Sequence, residues 1–262
     1  MTNFAILTKK EFIQMIRDFK MVWFPLVFVF LGITQPVLSY YLPSILKAMG
    51  GNQGITIDPS FAAQTGGEVL AATLGSQFDQ LGIIIIVVSL MGAVQSDKAN
   101  GMLAFILTRP VSVAQYFGAK LMSNYLFAAA AVTIGYLISY LYVNLLFSNV
   151  NFTEMILALL FYLVWIFFIV SFTTMVSTLF NSQGIIALIA IAVLLIGRIL
   201  VGISPVFDLI NPASMSIHAV DVLTSGTINP KLTANLLITL ILCFLTMIIS
   251  KAWISKKKYD NK

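Results

Sequence analysis

Charge is scarce in this sequence. Asp, Glu, Lys and Arg make up 10% of the 262 residues, against roughly a quarter in soluble domains. Cysteine is scarcer: Cys243 stands alone inside an apolar run, which excludes a disulfide framework and a cysteine metal site. His218 is the only histidine, and with Asp221 three residues on as its best neighbour it leaves a zinc site incomplete; it reads as a surface or interfacial imidazole. Ser214 and Ser216 lie near it in no strained nucleophile turn, so no catalytic residue is assigned. No Gly-Lys dipeptide occurs, so the phosphate-cradling loop with its lysine is missing and the chain has no nucleotide site of the usual kind. The net charge of +5 is scattered rather than gathered in a stripe, so no nucleic-acid partner is expected.

Apolar residues are in excess instead, at 59% of the chain with a mean hydropathy of +0.97. A soluble globule cannot hide that much apolar surface, and the expectation is an all-α integral membrane protein. A spanning helix needs about 20 mostly apolar residues, because hydrocarbon about 30 Å thick is crossed at about 1.5 Å per residue. Six segments satisfy this: 21–42, 78–94, 121–147, 155–180, 185–203 and 232–250. Residues 205–231, broken by prolines, form an extracellular or re-entrant segment. Glu11 and Asp18 interrupt the first twenty residues, which read as retained rather than as a cleaved signal peptide.

Lysine and arginine are kept on the cytoplasmic side of a membrane. One set of loops and ends carries twelve basic residues (9, 10, 17, 20, 98, 109, 120, 251, 256, 257, 258 and 262), and the other only Lys47 and Lys231. Asp58, Glu68, Asp79, Glu154, Asp208 and Asp221 fall on the second side. Both termini are therefore expected in the cytoplasm, with the chain multi-pass in the membrane.

Two cytoplasmic stretches carry pattern. In residues 1–20, Phe4, Thr8, Phe12, Met15 and Phe19 recur at helical spacing among Lys9, Lys10, Arg17 and Lys20, which describes a basic amphipathic helix in the membrane interface, or a simple positive anchor. After the second segment, residues 95–120 alternate polar breaks with the apolar run 102–107. Pro110 forbids one continuous helix and disfavours helical geometry at Arg109, while Ser112 can cap a new helix from Val113. The pieces read as two short helices with an elbow, either an ordered loop or a helix that packs into a groove on a cytoplasmic partner.

The order of these features resembles the ABC-2 type permease, the transmembrane subunit of bacterial ATP-driven exporters. The resemblance is carried by an elbow helix with Lys10-Glu11, six spans, and between spans two and three Asp97, Gly101-Met102-Leu103, Ile106-Leu107, Pro110-Val111-Ser112 and Gly118 with Lys120. Asn211-Pro212 is similar to an Asn-Pro near the family's external hairpin. The chain departs from the pattern at Met102, Val113 and Ala119. The resemblance implies one transmembrane domain over 1–262, paired with a second permease, identical or related, on two copies of an ATP-binding subunit that hold ATP and Mg. It further implies a coupling helix contacting the ATPase through Asp97, Lys98, Gly101, Met102, Leu103, Phe105, Ile106, Leu107, Arg109 and Pro110, the apolar members as anchors and Lys98 and Arg109 as rim charges. Spans one and five would face the partner permease.

Arg198 is the ionisable group deepest in an expected span, about 20 Å in from the cytoplasmic end at about 1.5 Å per residue. It is either a snorkelling anchor or a cation lining an export path, paired with Asp79 or Asp208; with Pro36 it is a candidate for that path. An ion-coupled carrier is the rival reading, although no internal repeat or broken-helix pair accompanies it. The stripe Ser123, Phe127, Ala131, Gly135 and Ser139 reads as a close helix-packing seam. Ser171, Thr173, Thr174, Ser177 and Thr178 make one half of span four polar, with hydroxyls able to bond back to helix carbonyls. An apolar path with few charges suits an amphipathic or lipophilic cargo, such as an antimicrobial peptide, a drug or a lipid-like molecule.

Overall fold

The computed structural model describes residues 3–50, 64–108 and 111–256. All regular structure among them is helical. Helix α1 (Asn3–Arg17) turns at Phe19, whose backbone is left-handed (φ 54°), into α2 (Lys20–Gly50). A third rod is built from α3 (Gly66–Ala72), a π-helical stretch (Thr73–Gly82) and α4 (Ile83–Leu90). Two short helices follow, α5 (Gln95–Ala99) and α6 (Met102–Leu107), then α7 (Val113–Leu146), α8 (Phe152–Leu179) and α9 (Gln183–Ile199). After α10 (Pro205–Ile210) and α11 (Ser214–Ser225), α12 (Leu232–Lys256) closes the described chain.

Among the described residues five helical stretches are long and apolar enough to cross a membrane: Lys20–Ile45, Gly66–Ala99, Val113–Leu146, Phe152–Leu179 and Leu232–Lys256. The segment expected as a span at 185–203 is a 17-residue helix, Gln183–Ile199. At about 1.5 Å per residue it is about 25 Å long, short of the roughly 30 Å of hydrocarbon. The second span begins well before the expected residue 78. Thr65 and Glu68 form a reciprocal capping box that starts the helix at Gly66, and Asp79 lies inside the rod, fully buried, rather than in an outer loop.

The pairing of α2 with α7 is the most extensive helix contact. A Cβ on Gly32 would stand 2.2 Å from the Gly135 carbonyl oxygen, and one on Gly135 would stand 2.4 Å from that of Phe28. The two backbones touch, which only glycine permits. All five residues of the expected seam on α7 are buried. Phe24 stacks on Phe127 at 4.9 Å across the same contact. Helix α2 runs through Pro25, Pro36 and Pro43.

Chain connectivity defines two ends of the bundle. At one lie the close of α4, α5, α6 and the start of α7 with the close of α8; at the other lie the start of α3, the close of α9, α10, α11 and the start of α12. Helix α11 packs on α8 and α3, and α10 on α12.

Candidate functional site

The elbow and coupling stretches meet in a buried charge cluster. Lys120 on α7 is 2% exposed, and its Nζ lies 3.0 Å from Glu11 Oε2 on α1 and 2.9 Å from Asp97 Oδ2 on α5. Tyr116, one turn earlier on α7, donates its hydroxyl to Asp97 Oδ2 at 2.6 Å. Lys10 stands 3.4 Å from Glu11 and 3.9 Å from Asp97. Two anions and two cations thus balance, and the short α5 is held against α1 and α7. Glu11 occupies the inward face of α1 with Met15, whereas Phe4 and Phe19 of the expected apolar stripe are 39% and 75% exposed. A periodicity count does not see this, because the inward position is a satisfied carboxylate.

Lys98, read as a rim charge, turns back to α8. Its Nζ donates to the carbonyls of Thr178 and Phe180 and to Asn181 Oδ1, at the helix end where carbonyls lack intrahelical partners. Gln95 adds a bond from Nε2 to the Asn181 carbonyl at 2.8 Å. Ser177 Oγ accepts from the N–H groups of Val94 and Gln95 and donates to the Met91 carbonyl, satisfying the break between α4 and α5. Thr174 and Thr178 bond back to their own helix, as expected of hydroxyls there.

Gly101 joins α5 to α6 with φ 68°, a left-handed turn that suits glycine. Within α6, Leu103 and Ile106 are buried, while Met102 and Phe105 are 40% and 57% exposed. The expected anchors therefore divide: one pair holds α6 to the bundle and the other faces outward. The Leu107 side chain and residues Arg109 and Pro110 lie outside the described residues. Ser112 caps α7 reciprocally with Gln115, as its position predicts. Between α1 and the α5–α6 turn lies a groove of about 520 Å³, walled by Ile6, Ile13 and Met102 and rimmed by Lys9, Lys10 and Arg17 with Asp18 and Asp97.

Arg198 Nε donates to Asp79 Oδ2 at 2.6 Å, which selects Asp79 over Asp208 as its partner. Asp79 also accepts from Tyr162 (3.1 Å), Trp165 Nε1 (3.2 Å) and the Ser216 hydroxyl. A buried carboxylate with three neutral donors and a guanidinium is satisfied rather than vacant. The network ties the π-helical stretch to α8, α9 and α11. Such stretches are rare and usually a single turn, and frequent at functional sites. Pro36 is buried against the bundle on α2.

Asn211 donates from Nδ2 to the Gly197 carbonyl at 2.7 Å and accepts from Ala213 N–H, clamping the end of α9 to the start of α11. His218 is 7% exposed, not superficial as expected, because α11 packs its ring inward. Asn235, which the sequence reading passed over, is fully buried on α12 and binds the end of α10.

With all regular structure among the described residues helical, five stretches among them able to cross a membrane and an ion pair inside the bundle, the chain is a multi-pass membrane protein. It belongs to the family described as protein of unknown function DUF2705, whose model matches residues 60–260. It is 33% identical over 178 residues, 68% of either chain, to a Bacillus subtilis (strain 168) protein described as the uncharacterized transmembrane protein YxlG.

Proposed function

We propose that the chain is the permease subunit of a bacterial ABC exporter, powered by a separate ATP-binding subunit. One observation carries the reading: the segment 95–108 is bolted to α1, α7 and α8 by charge and carbonyl contacts, yet presents Met102 and Phe105 outward beside a groove rimmed by charged residues of both signs. Apolar side chains exposed on a short, firmly mounted helix next to a charged groove suit a contact with a partner protein. A rigid mount is what transmits a push, because a flexible loop would absorb it.

In this reading α9 completes a sixth span, both termini are cytoplasmic, and the chain pairs with a second permease in the cell membrane over two ATP-binding subunits that hold ATP and Mg. The cargo is amphipathic or lipophilic. The chain itself hydrolyses nothing. The test is co-purification from native membranes in mild detergent. Wild type is expected to bring down an ATP-binding polypeptide, and Met102→Glu with Phe105→Glu to lose it at unchanged expression and melting temperature. Recovery of the same polypeptide by the double variant defeats the reading.

A further inference from the structure

At the end of the bundle away from α6, the close of α9, α10, α11 and the start of α12 enclose a cavity of about 270 Å³. Val201, Leu209 and Ile217 give it apolar walls. Ser214, His218 and Asn235 line it too, at 3%, 7% and 0% exposure. Ser214 Oγ, His218 Nδ1 and Asn235 Oδ1 have no hydrogen-bond partner among the described residues. Three such atoms around one cavity are unusual, since each bears its full desolvation cost.

The orientation of Asn235 is fixed by its other atom. Nδ2 donates to the carbonyls of Asp208, Leu209 and Asn211, each at 3.0 Å. Flipping the amide would set its oxygen against three carbonyl oxygens, so Oδ1 is the atom left over, and it can only accept. Asp208 and Asp221 line the same space. One Asp208 oxygen accepts from Gly202 N–H at 2.8 Å. Lys231 is the lining cation, and it is exposed. Two half-buried carboxylates and an acceptor-only amide oxygen thus outweigh the one exposed lysine in the lining, and Ser214 Oγ can accept as well as donate. A ligand that satisfies them brings N–H donors, positive charge and an apolar body, in a volume just below the roughly 300–1,000 Å³ of drug-sized pockets.

We propose that this cavity is a binding site for a small organic ammonium, a protonated amine on a short apolar body, with Asn235 Oδ1, Ser214 Oγ and the Asp221 carboxylate receiving its N–H groups. The site stands on its own residues and does not depend on an ATPase partner, so its test separates from that of the exporter reading.

His218 is the only histidine, so a protein labelled with 13C-histidine gives one ring signal from inside the cavity. The probes are 2-phenylethylamine, 2-phenylethanol and 3-phenylpropionate, titrated at neutral pH into the full chain in nanodiscs. The amine is expected to shift the ring signal saturably, at least tenfold tighter than the alcohol, with no saturable shift from the acid. Asp221→Asn and Ser214→Ala, neither of which removes a side-chain hydrogen bond that holds an element in place, are each expected to weaken the amine tenfold or more. Equal binding of amine, alcohol and acid overturns the proposal. So does an amine titration of the unmutated protein that leaves the signal unmoved, or amine affinity unchanged in both variants.

Discussion

Asp79 shows why a single charged residue in an apolar chain is hard to place by eye. Its four donors come from Tyr162 and Trp165 on α8, Arg198 on α9 and Ser216 on α11, residues up to 137 positions away. Removing one member of a buried pair leaves an uncompensated charge, at a cost of about 3–5 kcal/mol. Arg198→Leu alone is therefore expected to lower the melting temperature in detergent sharply, and Asp79→Asn with Arg198→Leu to recover much of the loss, because the amide keeps acceptors for Tyr162 and Trp165. A double variant no more stable than Arg198→Leu would mean that the pair is not what holds the site. His218 offers a second test. Burial lowers its pKa from 6.5, with Asp221 and Asp208 opposing the shift; Lys231 lines the same cavity. The unfolded chain then takes up the proton first, so the contribution to stability is complete above pH 6.5 and falls away as pH drops toward the folded-state value. Melting curves of wild type should lose ground to His218→Gln below pH 6.5 and run parallel to them above it.

At the scale of elements, much was legible and the exceptions share a cause. The start of α7 at Val113, the break of helix before it and the seam through Gly135 all follow from local rules: a capping serine, a proline, small residues at a four-residue repeat. Gly135→Val is expected to destabilise by about 1–3 kcal/mol or more, since the new side chain meets the Phe28 backbone and no rotamer relieves it; unchanged thermal stability would mean the helices do not touch there. What local rules missed are long-range polar closures. Glu11 counted in the sequence as a charge that argues against a cleaved signal peptide, and it is the buried partner of Lys120, 109 residues on. Lys98 looked like a rim charge and is a cap for α8. The second span looked as if it began at 78, because the polar run from Gly75 to Gln80 dilutes its hydropathy; there the structure has a wide π-helical stretch that carries Asp79 inward. Each residue is polar in a place where hydropathy counts polarity as exposure, and only its partner reveals it as buried.

For the whole molecule, two ends with different chemistry emerge from one bundle. One end is a rigid assembly of α1, α5, α6 and the start of α7, knit by Lys10, Glu11, Asp97 and Lys120, with apolar side chains facing out. The other end closes over an acceptor-rich cavity between α11 and α12. The Asp79 network joins the π-helical stretch of the second rod to α11, and that rod continues through α4 into α5, so a continuous packed path runs from one end to the other. Movement imposed at α6 has a stiff route along it. In the proposed exporter α6 is the docking helix for an ATPase. The direct measurement is photo-crosslinking in native membranes from a benzoylphenylalanine placed at Phe105, with Phe244 on α12, 62% exposed, as the control. Phe105 is expected to capture an ATP-binding polypeptide, more strongly when ATP is trapped, and Phe244 to capture none. Capture at Phe105 of lipid alone, or of the same polypeptide equally from both positions, would contradict that docking role.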